Sequence, residues 1–177
     1  MAIVTQRSGL RGILSSIFRP RLTRGSSSPP APAPADGRSG PTATVEVPPP
    51  GRGALRITYA PDHDGDPDAG EIIWTWVPYA ENDGRGKDRP LLVIARQSAD
   101  RVYAVRLTSK PHDGDRDFLA LGTGDWDSQG RPSWLDIEQL YSVHRDSMRR
   151  EASALDRNRF ALVADALHRR HGWEVGN

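Results

Sequence analysis

Three runs of strand-forming residues follow one another closely between Glu71 and Leu107, joined by one polar loop and one tight turn. The first, Glu71-Ile72-Ile73-Trp74-Thr75-Trp76-Val77-Pro78-Tyr79, is β-branched and aromatic, and it ends where Pro78 cannot donate to a ladder. Pro90 to Arg96 is a continuous apolar run, Val102 to Leu107 alternates, and the turn at Ser98 to Arg101 between them reads as a hairpin. Phe118 to Leu121 and Ser133 to Ile137 are two more short strand candidates, separated by a Gly- and Asp-rich loop. Short strands at this spacing, without βαβ alternation, predict a small antiparallel barrel of the α+β, mainly β class and exclude a doubly wound nucleotide-binding sheet.

The hydrophobic period then changes. Asp156 is a plausible N-cap, with Leu155 and Phe160 at the hydrophobic-staple positions around it. Phe160, Val163, Ala164 and Leu167 form one stripe, so a helix is expected over 156–171, ending at Gly172. His168, Arg169, Arg170 and His171 suit the negative end of its dipole, and Trp173 is expected to pack back on the barrel.

Upstream of Gly70 the composition shifts. Residues 1–25 carry only positive charge, with Leu10, Ile13, Leu14, Ile17 and Phe18 at helical spacing, which reads as a basic amphipathic segment suited to an anionic membrane surface or an RNA backbone. Residues 26–54 read as a disordered Pro/Ser/Gly-rich linker. Eight of the fifteen prolines lie there, and so few large apolar residues cannot offset the entropy of ordering. Residues 55–69 form an irregular lead-in with an edge strand at Leu55 to Tyr59, and the barrel domain spans 70–177.

Lys and Arg total 24 against 23 Asp and Glu, so a net charge of +1 gives no overall attraction to nucleic acid, and any steering has to be local. The chain has no cysteine, hence neither disulfides nor thiolate metal sites. No apolar run approaches the roughly 20 residues needed to cross a bilayer, and none resembles the core of a secretory signal. A cytoplasmic protein is the expectation. Asp62, Asp64 and Asp66 imitate the start of a calcium loop, but the twelfth position is Ile73, which cannot ligate. His112 and Asp113 lack partners at metal-site spacing, so no metal site is expected.

Four motifs, in order, carry a resemblance. Gly70-Glu71-Ile72-Ile73-Trp74 opens the first strand; Arg89-Pro90 precedes Leu91-Leu92-Val93-Ile94 after a Gly-rich loop; Leu107-Thr108-Ser109 ends the third; and Leu135-Asp136-Ile137-Glu138-Gln139-Leu140 follows. Together they extend over roughly 100 residues and are similar to the MazF/PemK family of type II toxin–antitoxin endoribonucleases. The resemblance implies an SH3-like barrel that forms a homodimer and cleaves single-stranded RNA, often messenger RNA, with neither metal nor other cofactor. It also implies a cognate antitoxin, through whose complex the toxin can contact DNA. The alternative is a catalytically weak or inactive member acting as a nucleic-acid-binding or protein-interaction module, because fold does not guarantee activity.

Cleavage by attack of a ribose 2′-OH needs a base, donors around the phosphorane, and an acid for the departing oxygen. Arg89 is the leading catalytic candidate, since a guanidinium can hold two phosphate oxygens; the plain alternative is a salt bridge to Asp88 or Glu138. Thr108 and Ser109 end a strand and can donate hydroxyls to the same phosphate, or simply cap a turn before Lys110 and Pro111. The chain departs from the family after Gln139, where a basic residue and an acid are replaced by Leu140-Tyr141-Ser142-Val143-His144. His144 is therefore one candidate for proton transfer, and Glu81, in the polar loop from Ala80 to Asp88 that the resemblance implies to be mobile, is another. Lys87 and Lys110 supply positive charge for RNA, and Tyr79, Tyr141 and Trp126 are candidates for stacking bases.

Overall fold

The computed structural model describes residues 37–62, 64–81 and 83–176. The basic segment 1–25 and the first part of the linker lie outside the described residues. Among the described residues, ten strands and one α-helix follow in chain order: β1 (Val45–Val47), β2 (Arg56–Ile57), β3 (Glu71–Pro78), β4 (Gly86–Arg96), β5 (Arg101–Thr108), β6 (Phe118–Gly122), β7 (Ser133–Asp136), β8 (Leu140–His144), β9 (Arg150–Ala154), α1 (Arg157–His171) and β10 (Glu174–Val175).

Eight of the strands form one antiparallel sheet in the order β1-β8-β5-β4-β3-β9, with β7 and β6 joined to it through β5. The branch at β5 shapes the sheet. Its first half, Arg101 to Ala104, pairs with β8, whereas Leu107 and Thr108 pair with β7. One strand thus feeds two ladders that diverge, and register shifts between Val93 and Ala95 and between Ile72 and Ile73 add local bending. The mainly β architecture with a C-terminal helix agrees with the sequence reading.

Alternation along β3, β4 and β5 sends side chains into two separate cores. Ile72, Leu92, Ile94, Val105 and Leu107 meet Phe160, Val163, Ala164 and Leu167 of the helix, together with Trp126 and Trp173. Ile73, Val77, Leu91, Val93, Val102 and Ala104 share the opposite face with Tyr141 and Val143. This is why Leu91 to Ala95 is apolar without interruption: both faces of β4 are covered.

Glu71, the one charged residue in the apolar part of β3, is buried, and its carboxylate accepts from the Asp62 and Asp68 backbone N–H groups, each at 3.0 Å. The acid thereby ties the preceding turn region to the sheet. The helix keeps its expected caps: Asp156 Oδ1 accepts from Arg159 N at 3.0 Å, and Gly172 adopts φ 72°. Replacing Asp156 with Ala is expected to lower unfolding free energy by about 1 kcal/mol in urea titrations; no change there would mean that the cap contributes nothing.

Disorder does not extend through the linker, which is a correction to the sequence reading of 26–54. Val45, Glu46 and Val47 pair antiparallel with Ser142, Tyr141 and Leu140. Thr44 is buried with its hydroxyl 3.0 Å from that of Thr75, and Arg101 donates to the carbonyls of Pro41 (2.9 Å) and Ala43 (2.6 Å). The Trp173 indole N–H donates to the Pro50 carbonyl at 2.8 Å. An edge strand is held by its backbone and a proline still offers a carbonyl, so composition carries little trace of either contact. The lead-in strand is also shorter than expected: Arg56 and Ile57 pair in parallel with Glu174 and Val175, apart from the main sheet.

Candidate active site

Strand β4 delivers Arg89 and strand β5 delivers Thr108 to the same end of the sheet. Leu91 stands opposite Arg106, and that antiparallel register carried two residues further sets Thr108 beside Arg89. Before Arg89, the chain turns back at Gly86, where a Cβ would lie 2.3 Å from the Val77 carbonyl oxygen. Only glycine allows the two strands to approach there. The end of the sheet opens into a cavity of about 250 Å³ lined by Lys87, Arg89, Thr108, Ser109 and Trp126 among the sequence candidates. Residues far apart in the chain are thus brought together.

Arg89 is half-buried, and neither acid proposed as its partner takes it. Asp88 accepts from Arg149 Nε at 3.1 Å, and Glu138 lies 3.3 Å from Arg170. Among the described residues Arg89 has no acidic partner, and its buried Nε has no hydrogen bond. Burial, and next the like charge of Arg106, push its pKa below the usual guanidinium value, while Tyr141 and Tyr79 act in the other direction. A guanidinium so placed stays charged and is under-solvated, a state that an incoming anion relieves.

Thr108 serves both of its expected purposes. Its hydroxyl oxygen accepts from the Lys110 backbone N–H at 3.2 Å, as in a turn cap, which leaves the O–H to donate elsewhere. Ser109 and Lys87 are exposed on the cavity wall, whereas the exposed Lys110 stands beyond it. Arg131 also reaches the wall, paired through Nε with Asp127 at 2.8 Å. Burial works against ionisation of Asp127, but the bonds from Arg131 and Gln129 prevail and its pKa is lowered. Arg131 sits in a Gly- and Asp-rich loop with no local signal that it would reach β4.

Two stacking candidates are corrected by their burial. Trp126 is 4% exposed, and its indole N–H donates to Ser133 Oγ at 3.0 Å, so it is a wall of the cavity and not a free platform. Tyr141 is 2% exposed, lies between Glu46 and Ala104 in the sheet, and donates its hydroxyl to Gln139 Oε1 at 3.1 Å. An aromatic next to a motif can be predicted; which face of the strand it occupies depends on β1 and β5 on either side. Burial, with Glu46 and Asp136 adding to it against Arg106 and Arg89, pushes the Tyr141 pKa up from 10.0 to about 12. A folded pKa above the unfolded one gives stability that is complete below pH 10 and is lost as pH rises toward 12. Tyr141→Phe should therefore flatten the alkaline fall in unfolding free energy between pH 10 and about 12. An unaltered alkaline limb would assign that fall to other groups.

The proton-transfer candidates do not meet Arg89 in this structure. His144 lies at the far end of β8, its Nε2 3.3 Å from Asp100 and its Nδ1 accepting from the Asp146 backbone N–H at 3.1 Å. Glu81 is exposed in the β3–β4 loop and does not line the cavity. Tyr79 lines a separate cavity of about 440 Å³, with Trp76, Thr44 and Glu46. Among the described residues no group of three His, Asp or Glu side chains is gathered closely enough to hold a metal ion, and no helix is long and apolar enough to cross a membrane.

Arg106, which sequence reasoning passed over, does not line the cavity but stands on the Arg89 face of the sheet. It projects from the face of β5 that also carries the buried Val102 and Ala104, and an arginine in that alternation was the available signal. Its terminal nitrogen lies 2.7 Å from Asp136 Oδ2. The other oxygen of Asp136 accepts from the Glu138 and Gln139 backbone N–H groups, each at 3.1 Å, so the acid is fixed by its own chain.

No curated protein matches the sequence. An endoribonuclease from a mycobacterial species, solved in complex with its cognate antitoxin, is 17% identical over 61% of this chain and 95% of its own, with a TM-score of 0.47. MazE–MazF from Deinococcus radiodurans is 20% identical over 60% of this chain and 96% of its own, with a TM-score of 0.47. MazF from the same organism is 21% identical over 60% and 97%, with a TM-score of 0.46. The match that decides membership is to a family model: residues 68–170, more than half of the chain, fit the PemK-like, MazF-like toxin of type II toxin–antitoxin systems, and the chain belongs to that family.

Proposed function

We propose that this protein is an endoribonuclease that cleaves single-stranded RNA at the cavity holding Arg89 and Thr108. The observation that carries the reading is the half-buried Arg89 guanidinium, without an acidic partner among the described residues, at a cavity wall shared with two hydroxyls. Arg89 neutralises the non-bridging oxygens of the scissile phosphate, and the Thr108 and Ser109 hydroxyls donate to them as charge builds in the transition state. The 2′-oxygen loses its proton to a base and bonds to phosphorus as the bond from phosphorus to the 5′-oxygen breaks. The 5′-oxygen then takes up a proton, leaving a 2′,3′-cyclic phosphate on one fragment and a 5′-hydroxyl on the other. No step in this scheme draws on a metal.

Membership of a toxin–antitoxin family supports a cognate antitoxin as the controlling partner, and the resemblance supports a homodimer, with DNA contact made through the antitoxin complex. The experiment is cleavage of a mixed-sequence single-stranded RNA by the purified chain in excess EDTA, with the product ends identified by mass spectrometry. Cyclic phosphate and hydroxyl ends are expected. RNA that is bound but left intact would favour the binding-module alternative.

A further inference from the structure

The face of the sheet that carries Arg89 carries a second guanidinium. Leu91 is the direct cross-strand partner of Arg106, so Arg89, two residues from Leu91 on β4, is its diagonal neighbour on the same face. Such diagonal positions lie about 7–8 Å apart, within reach of long side chains. Both residues have a buried Nε with no hydrogen-bond partner. Only one of the two has an acid: Asp136 holds Arg106 and is itself held by two backbone N–H groups.

Two like charges on adjacent positions of one face repel, and the repulsion lowers the pKa of Arg89. Asp136 cancels one of them, so the cluster keeps a single net positive charge. Asp136 takes only one terminal nitrogen of Arg106, which leaves the rest of the planar fork for another acceptor.

We propose that Arg106 is a second substrate-contacting guanidinium, binding RNA phosphodiester oxygens beside Arg89, and that Asp136 is the residue that positions it. This inference rests on the RNA-cleaving reading of the Arg89 cavity.

The test uses the full chain and a labelled mixed-sequence single-stranded RNA with 2′-O-methyl at every ribose, which binds without being cut. Dissociation constants are measured across a salt series for wild type, for Arg106→Lys, and for the double variant Arg106→Gln/Asp136→Asn, which leaves no uncompensated buried acid. The double variant is expected to bind at least roughly tenfold more weakly. Because this variant removes one positive and one negative charge together, its slope of log affinity against log salt should stay close to that of wild type, so that the loss reads as a lost fork and not as lost net charge. Arg106→Lys should keep the wild-type slope but lose affinity several-fold, because a point charge does not reproduce the fork.

A folded double variant with the wild-type affinity overturns the proposal, as does a lysine variant that binds as tightly as wild type. The two readings fail differently. Wild type that binds no RNA at any salt removes the RNA reading and the inference together, whereas wild type that binds but never cleaves unmodified RNA removes only the chemistry.

Discussion

Arg89→Ala is expected to lower RNA cleavage by about 10²–10³-fold while the Tm stays at or above that of wild type, since removing one preorganised donor to a developing oxyanion costs about that much. The two halves of the expectation come from one fact. Among the described residues Arg89 has no acidic partner and no bond to its buried Nε, so its charge contributes nothing visible to the fold and is set aside for a ligand. Arg89→Lys should recover part of the loss, keeping the charge but not the two-pronged geometry. Single-turnover cleavage and a thermal melt of the three proteins check this. Equal cleavage by wild type and the alanine variant would move the active site elsewhere.

Trp173→Ala is expected to cost about 3–5 kcal/mol in unfolding free energy, the range for truncating a fully buried tryptophan. Trp173 is completely buried against the helix-side core. Its ring stacks on His171 with centroids 4.3 Å apart, its carbonyl lies 2.6 Å from His168 Nδ1, and its N–H donates to Pro50. The substitution therefore opens a cavity and releases a contact to the segment that precedes β2. Urea unfolding measures the first effect; faster amide exchange at residues 51–55 would register the second. A loss below about 1 kcal/mol would show that the site collapses around the smaller side chain.

The helix-side core was legible because its signals are local. Asp156, the Leu155 and Phe160 staple and the stripe through Leu167 all lie within four turns of chain, and the structure places each where the period indicated. The long strands were legible for the same reason, although β4 begins four residues before Pro90, in a polar stretch held by pairing with β3. Strands β1, β8, β9 and β10 were missed. Each is two to five residues long. At that length a strand is made by its neighbour's donors and acceptors more than by its own residue types.

At the site, residue types near a motif were easier to read than the directions they take. Arg89, Thr108, Ser109 and Lys87 line one cavity, whereas Tyr141 turns inward beside β1 and His144 ends among Asp100 and Asp146. Tyr141 lies on the same face as Arg89 and Arg106, close enough for both guanidiniums to act on its hydroxyl, but the register sets it opposite Ala104, where its ring is buried and offers no open platform.

The sequence by itself determined the class of fold, the helix with its two caps and the family, because periodicity, capping and motif order are properties of contiguous residues. Tertiary structure alone decided that the proline-rich approach becomes an edge strand, that neither Asp88 nor Glu138 neutralises Arg89, and that Arg106 joins it on one face. Those outcomes depend on which strand lies beside which and in what register, and register is set by the packing of both cores at once.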